Sequence, residues 1–193
     1  MTGEPQIELP STFTSAQAHS LGLSRRRLLT LQEVGSLERI ARGVYRRTDA
    51  LAADSDLVEI AVKSPRATLC LVTALARHGL TDHIPTTIDA ALPRGTWLPA
   101  MSAPVTWHKF SPETFDLGRE TLRIDGEHEL GLYDAPRSIV DAFRLRHLLG
   151  EDLAHEALRR WLRQQGRPAE LMATARPFPK AFPAILQAIQ VLG

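Results

Sequence analysis

The sequence predicts an α+β protein in two parts, a small basic N-terminal module and a larger α+β domain with a helical C-terminal tail. Three observations carry that prediction. Before residue 36, capping residues and glycine stops bracket two short helical segments, and extended pieces follow. Between residues 87 and 133, short apolar stretches of strand length are separated by Pro, Gly and Asp. From residue 135 onward the apolar residues recur at helical spacing.

Pro5 and Pro10 make residues 1–13 a poor helix, and these are read as an arm. Thr14 or Ser15 suits the N-cap of "SAQAHSL", which Gly22 ends; Ser24 caps "RRRLLTLQEV", which Gly35 ends. Two short helices about an "LGL" turn have the layout of a helix-turn-helix. "SLERIA" and "VYRR", joined through Arg42 and Gly43, form a hairpin or wing. A winged helix ordinarily has a supporting helix ahead of the pair, and residues 1–13 do not supply one. The module is therefore expected to lean on the second domain.

"ALAADSD" reads as a linker, after which Asp54 or Ser55 caps a helix through Val62, ended by Pro65. "RATLCLVTALARHGL" is apolar on nearly every face and is expected to be one buried helix closed by Gly79. Four strands are expected at "TIDAALP", "PVTWHK", "ETLRID" and "HELGLY". Helices follow at "APRSIVDAFRLRHLL", "EDLAHEALRRWLRQQ", a short piece after Pro168, and "FPAILQAIQVL". The expected domains are residues 1–48, a winged helix-turn-helix preceded by the 1–13 arm, and residues 49–193.

The charge is unevenly placed. The chain of 193 residues carries a net charge of only +1, yet residues 14–48 hold seven arginines and no lysine against Glu33 and Glu38. A basic module on a neutral-to-acidic body points to a polyanionic partner for the module alone. On a helix turning about 100° per residue, Leu28 and Leu31 face inward while Arg26, Thr30 and Glu33 face out. Arg27 then flanks the outer face and Arg25 lies nearer its rim. This is the pattern of a recognition helix, whose first residues enter the major groove of double-stranded DNA. Arginine suits the place because its planar fork can bond guanine O6 and N7 together or clamp a phosphate. Arg39 and Arg42 lie near the hairpin tip, with Arg46 and Arg47 on the return strand, where they are expected to reach the backbone or minor groove. The DNA-contacting set is therefore Ser24, Arg25, Arg26, Arg27, Thr30, Arg39, Arg42, Arg46 and Arg47.

At these residues the sequence resembles the AbiEi-type antitoxins, the regulator half of type IV toxin–antitoxin systems. "TSAQAHSLGLSRRRLLTLQEVGSLERIARGVYRR" resembles the family's winged-helix segment with its arginine-glycine-aromatic ending, here Arg42-Gly43-Val44-Tyr45. "TLCLVTALARHGLTDHIPTTIDAALPRG" is similar to the family's small-residue helix, "HGL" and following strand. "LYDAPRSIVDAF" resembles its arginine-to-aspartate helix, here Arg137 and Asp141. The likeness spans roughly residues 14–190. It implies a bacterial regulator whose N-terminal domain binds promoter DNA repeats and represses its own operon. The C-terminal antitoxin domain would counter a nucleotidyltransferase toxin from the neighbouring gene. Two alternatives stand beside this: a stand-alone transcriptional regulator, and an antitoxin that acts by direct contact with the toxin.

Other chemistry is not supported. His78 and His83 straddle a glycine turn without a third ligand spacing, so capping or packing is expected of them. Gly35-Ser36 with Asp54 and Asp56 only faintly resembles a nucleotidyltransferase motif, and those acids fall in a linker. Glu59 with Lys63 is read as an ordinary surface pair at i, i+4 spacing, and Arg137 with Asp141, at the same spacing, is expected to pair too. No catalytic residue, metal site or cofactor is assigned, and the chain is expected not to be an enzyme. Cys70, the single cysteine, is expected to be buried filler. No apolar run approaches the ~20 residues of a membrane helix, and "MTGEPQIELP" has neither the basic start nor the apolar core of a secretion signal. A cytoplasmic location is expected. Trp161 is read as core, and Trp97, beside "PRG", as a candidate partner anchor.

Overall fold

The computed structural model describes residues 9–50 and 53–192. Its elements fall into two compact units. The first comprises residues up to Arg66 with Pro99–Pro104 and Leu122–Leu130, and the second comprises the remainder.

In the first unit, β1 (Thr12–Thr14), α1 (Ser15–Ser20), α2 (Arg25–Glu33), β2 (Leu37–Ala41), β3 (Val44–Arg47) and α3 (Ser55–Lys63) follow in order. The strands form an antiparallel sheet in the order β1-β3-β2. The arm expected over residues 1–13 is corrected here. Residues 1–8 lie outside the described residues, but Thr12–Thr14 form a strand that pairs with β3. That pairing partner lies over thirty residues away in sequence, so local propensity could not reveal it.

Thr14 then begins α1 with a reciprocal cap: its Oγ1 accepts from Gln17 N at 3.1 Å, and its own N donates to Gln17 Oε1 at 2.7 Å. Gly43 turns the hairpin at φ +72°, a conformation other residues adopt only with strain. Register decides what lies on each face of the sheet. Phe13 pairs with Tyr45 and shares its face with Leu37; Phe13 and Leu37 are buried with Ala18, Leu23 and Leu28 of the α1–α2 side. Thr12, Val44 and Arg46 occupy the other face, where α3 packs against β1 and β2. The supporting helix thus follows the hairpin instead of preceding the two helices.

Asp54 caps α3 by accepting from Asp56 N and Leu57 N at 3.0 and 3.3 Å. Glu59 is 1 % exposed and is no surface residue. Its carboxylate accepts from Lys63 Nζ at 2.6 Å, Ser102 N at 2.9 Å and Ala103 N at 2.8 Å. One buried carboxylate therefore ties the 99–104 segment to α3. Burial acts to raise its pKa, but the three donors outweigh it and hold the group below the ordinary glutamate value.

A five-stranded sheet has the order β6-β5-β4-β8-β7 and belongs to the second unit except for Leu122 and Arg123 of β7 and Glu129 and Leu130 of β8. Its strands are β4 (Thr68–Leu69), β5 (Ile88–Pro93), β6 (Val105–Phe110), β7 (Arg119–Arg123) and β8 (Glu129–Tyr133). The four expected strands are present, and the fifth is a correction. Thr68 and Leu69 lie in the middle of the sheet, antiparallel to β5 and parallel to β8, and only α4 (Leu71–Arg77) is helical in the run expected to be one helix. A two-residue strand buried on both faces reads as continuous apolar sequence, as a buried helix does. Cys70, between the two, is buried as expected, and burial pushes its thiol pKa up.

The helices that follow are α5 (Pro112–Phe115), α6 (Ala135–Arg144), α7 (Arg146–Leu149), α8 (Glu151–Arg163), α9 (Pro168–Ala175) and α10 (Phe182–Leu192). Leu75, Ile139, Phe143, Leu158, Trp161, Leu171 and Ile185 are buried in one cluster, which places Trp161 in the core as read from its spacing. Arg137 and Asp141 pair at 3.1 Å as their spacing predicts, and both side chains are fully buried. The Arg137 guanidinium also donates to the carbonyls of Thr114 and Leu117, each at 2.6 Å, and lies 4.2 Å from the Tyr133 ring centre. Among the described residues, no helix is long and apolar enough to cross a membrane.

Candidate nucleic-acid interface

α2 begins where a hydroxyl can replace a missing backbone partner. Ser24 Oγ accepts from Arg27 N at 3.2 Å, as its sequence position predicts. Ser24 is therefore occupied as a cap. The first turn that it fixes contains no acid and three arginines. The positive end of the helix dipole lies beneath those guanidinium groups and adds to their field.

Leu28, 4 % exposed, anchors the inner face of α2 against Phe13, Leu23 and Leu37. Arg25, Arg26, Arg27 and Glu33 are all exposed, and Arg26 and Glu33 stand opposite Leu28 by helical angle. Thr30 is half-buried and its hydroxyl donates to the Arg26 carbonyl at 3.2 Å, so the hydroxyl is turned back onto the helix. The sequence reading missed Leu29. It stands 52 % exposed among the arginines, and only its place between inward Leu28 and outward Thr30 could have signalled this.

In the hairpin, Arg42 and Arg39 are exposed. Arg42 is at the tip beside Gly43, and Arg42 N donates to Ser102 Oγ at 3.4 Å. Arg39 pairs with Tyr45, on the face that carries α1 and α2, and its Nε donates to the Ala41 carbonyl at 3.2 Å.

Arg46 and Arg47 depart from the expected set. Arg46 is 6 % exposed and donates from Nη1 to the Ala53 carbonyl at 3.3 Å. Strand alternation is the reason, because Arg46 pairs with Thr12 and lies on the face covered by α3. Arg47 forms a bidentate pair with Asp49, Nε to Oδ1 at 2.9 Å and Nη2 to Oδ2 at 2.6 Å, and donates from Nη1 to the Leu9 carbonyl at 3.1 Å. That pair holds the Asp49 carboxyl below its ordinary pKa. Arg46 is an internal brace and Arg47 is neutralised in place.

The remaining singled-out residues lie elsewhere. His78 Nε2 hydrogen-bonds the Tyr133 carbonyl at 2.7 Å, and Asp82, between the two histidines, pairs with Arg160. Among the described residues, no cluster of three or more His, Cys, Asp or Glu could hold a metal ion. Trp97 is 86 % exposed, next to the 41 % exposed Leu98.

Residues 8–48 match the AbiEi antitoxin family of transcriptional regulators. The AbiEi match covers the two helices and three strands of the basic module and stops at Thr48, before α3. The fold of the whole chain is similar to that of the RV2827C protein from Mycobacterium tuberculosis, known from its crystal structure. The TM-score is 0.51 at 19 % identity, over 95 % of this chain and 76 % of that one. At that identity the likeness concerns fold alone. Among curated proteins none matches the chain.

Proposed function

We propose that this chain is an AbiEi-like antitoxin with a winged helix-turn-helix at residues 1–48. That module binds promoter DNA repeats and represses its own operon, while residues 49–193 counter a nucleotidyltransferase toxin made by the neighbouring gene. The observation that carries this reading is α2, with a buried apolar face, a capped first turn and three exposed arginines over its positive end. In the major groove, Arg25, Arg26 and Arg27 contact phosphates and guanine edges. Leu29 offers an apolar contact to a thymine methyl, and Arg39 and Arg42 reach from the hairpin to the flanking backbone. None of these roles involves a catalytic step.

The test is fluorescence anisotropy with a duplex taken from the DNA upstream of the protein's own reading frame. R26A/R27A is expected to lose detectable binding while its thermal melt stays that of wild type, since both side chains are exposed. Wild-type affinity is expected to fall steeply with salt. Wild-type-like binding by the folded double variant removes the recognition-helix assignment.

Trp97 favours a second reading, in which neutralisation is by direct contact with the toxin. An indole exposed to 86 % is of the residue type most often found at the centre of binding surfaces. The two readings separate in co-expression with the neighbouring toxin, using full-length variants, because cutting at residue 48 would uncover the face of α3 that the sheet buries. Rescue that survives R26A/R27A but not W97A supports direct contact.

A further inference from the structure

The second unit contains a concavity that belongs to none of the features above. Its lining comes from four separate segments: Arg94 just after β5, Arg144–His147 at the α6–α7 junction, Glu151 at the start of α8, and Lys180 ahead of α10. The cavity measures about 640 Å³, within the range of about 300–1,000 Å³ usual for small-molecule sites.

Its chemistry is one-sided. Arg94, Arg144, Arg146 and Lys180 are cations, and Glu151 is the single carboxylate in the lining. That carboxylate is already engaged, 3.2 Å from Arg146 Nε. Arg94, His147 and Lys180 are exposed, and the Arg94 charge also acts on Glu113.

The charge is also held in position. Arg144 is 2.9 Å from the fully buried Asp141, and its guanidinium lies 4.5 Å from the Phe110 ring centre. Arg146 Nη1 donates to the Phe143 carbonyl at 2.8 Å. Two guanidinium groups are thus fixed at the wall while two flexible cations stand at the rim. A cleft lined by one sign of charge concentrates the field and attracts the opposite sign, and preorganised arginine forks match phosphate oxygens.

We propose that this cavity binds a small molecule carrying linked phosphates, of the size of pyrophosphate or a nucleoside diphosphate. Asp141 and Glu151 already offset part of the charge of Arg144 and Arg146. What favours linked phosphates is that they offer more oxygens than one phosphate to cations carried on separate segments; a duplex is too wide for a recess of this volume.

The test is titration calorimetry on the full-length protein at constant ionic strength, with sodium pyrophosphate, ADP and AMP as probes. Pyrophosphate is expected to bind saturably, one per chain, and more tightly than AMP. ADP binding more tightly than pyrophosphate would identify a nucleotide site; equal affinity would identify a diphosphate site alone. R94E/K180E is expected to weaken pyrophosphate binding by about ten-fold or more, with R94Q/K180Q as the milder variant should charge reversal impair folding. R26A/R27A must retain the binding, which separates this site from the arginines of α2. The proposal is overturned by non-saturable binding, by unchanged affinity in both rim variants, by loss of binding in R26A/R27A, or by a polyglutamate peptide binding as tightly as pyrophosphate.

Discussion

Replacing Arg137 by alanine removes a cation from the centre of the second unit, and the cost can be worked from its contacts. Nη1 donates to two carbonyls at 2.6 Å, Thr114 O and Leu117 O. These are partly buried, so losing both costs about 2 kcal/mol. Nε bonds Asp141, which is fully buried and would keep only Arg144. Breaking a buried pair typically costs about 3–5 kcal/mol, and the remaining arginine brings this toward about 2 kcal/mol. The guanidinium also lies 4.2 Å from the Tyr133 ring centre and 4.7 Å from that of Phe178, and losing that contact adds about 1 kcal/mol. The sum, about 5 kcal/mol, is comparable to the whole stability of many domains. R137K keeps the charge but cannot form the planar fork, and should lose about half as much. Urea denaturation followed by far-ultraviolet circular dichroism and by tryptophan fluorescence, to which buried Trp161 contributes, measures both variants. A loss below about 1 kcal/mol in R137A would mean that the buried arginine is not the organising group its contacts imply.

Two further outcomes are expected. Glu59 has a pKa held below the ordinary value, so its stabilising contribution is complete above the unfolded-state value of about 4.5 and fades as pH falls through the lower folded-state value. E59Q should therefore lose about 2–3 kcal/mol at pH 7, and the gap to wild type should narrow in acid; urea midpoints between pH 7 and pH 3 check this, and a constant gap contradicts it. R46A should lower the stability of the first unit by about 2 kcal/mol through lost packing and its bond to Ala53. While folded it should keep the wild-type salt slope of DNA binding, whereas R26A should reduce that slope by about 1; a reduced slope in R46A would place that side chain on the duplex.

What was legible in the sequence was local. Ser24, Thr14 and Asp54 cap helices as their positions predict because a cap is a contact within three residues. Arg137 and Asp141 announced their pairing by spacing on one helix. Their burial was hidden, because it depends on Tyr133 and Phe178 closing over the pair from other segments. β1 and β4 were hidden for a related reason. β1 pairs with a strand over thirty residues downstream, and two-residue β4 is held by β5 and β8, one of which starts about sixty residues later.

The candidate DNA surface shows the same division. Periodicity on α2 separated Leu28 from Arg26 because the helix presents one face to a single sheet. Periodicity on β3 could not say which of its two faces was open. Arg46 alternates away from Phe13, toward the side that would be exposed if the module ended at Thr48, and α3 returns to cover it. The seven arginines of residues 14–48 therefore overstate the available charge. Arg46 serves the interior and Arg47 is matched by Asp49, leaving five on the outside, three of them on α2. A local charge count measures how many cations a segment carries. How many face a duplex is decided by the element that packs on its other side.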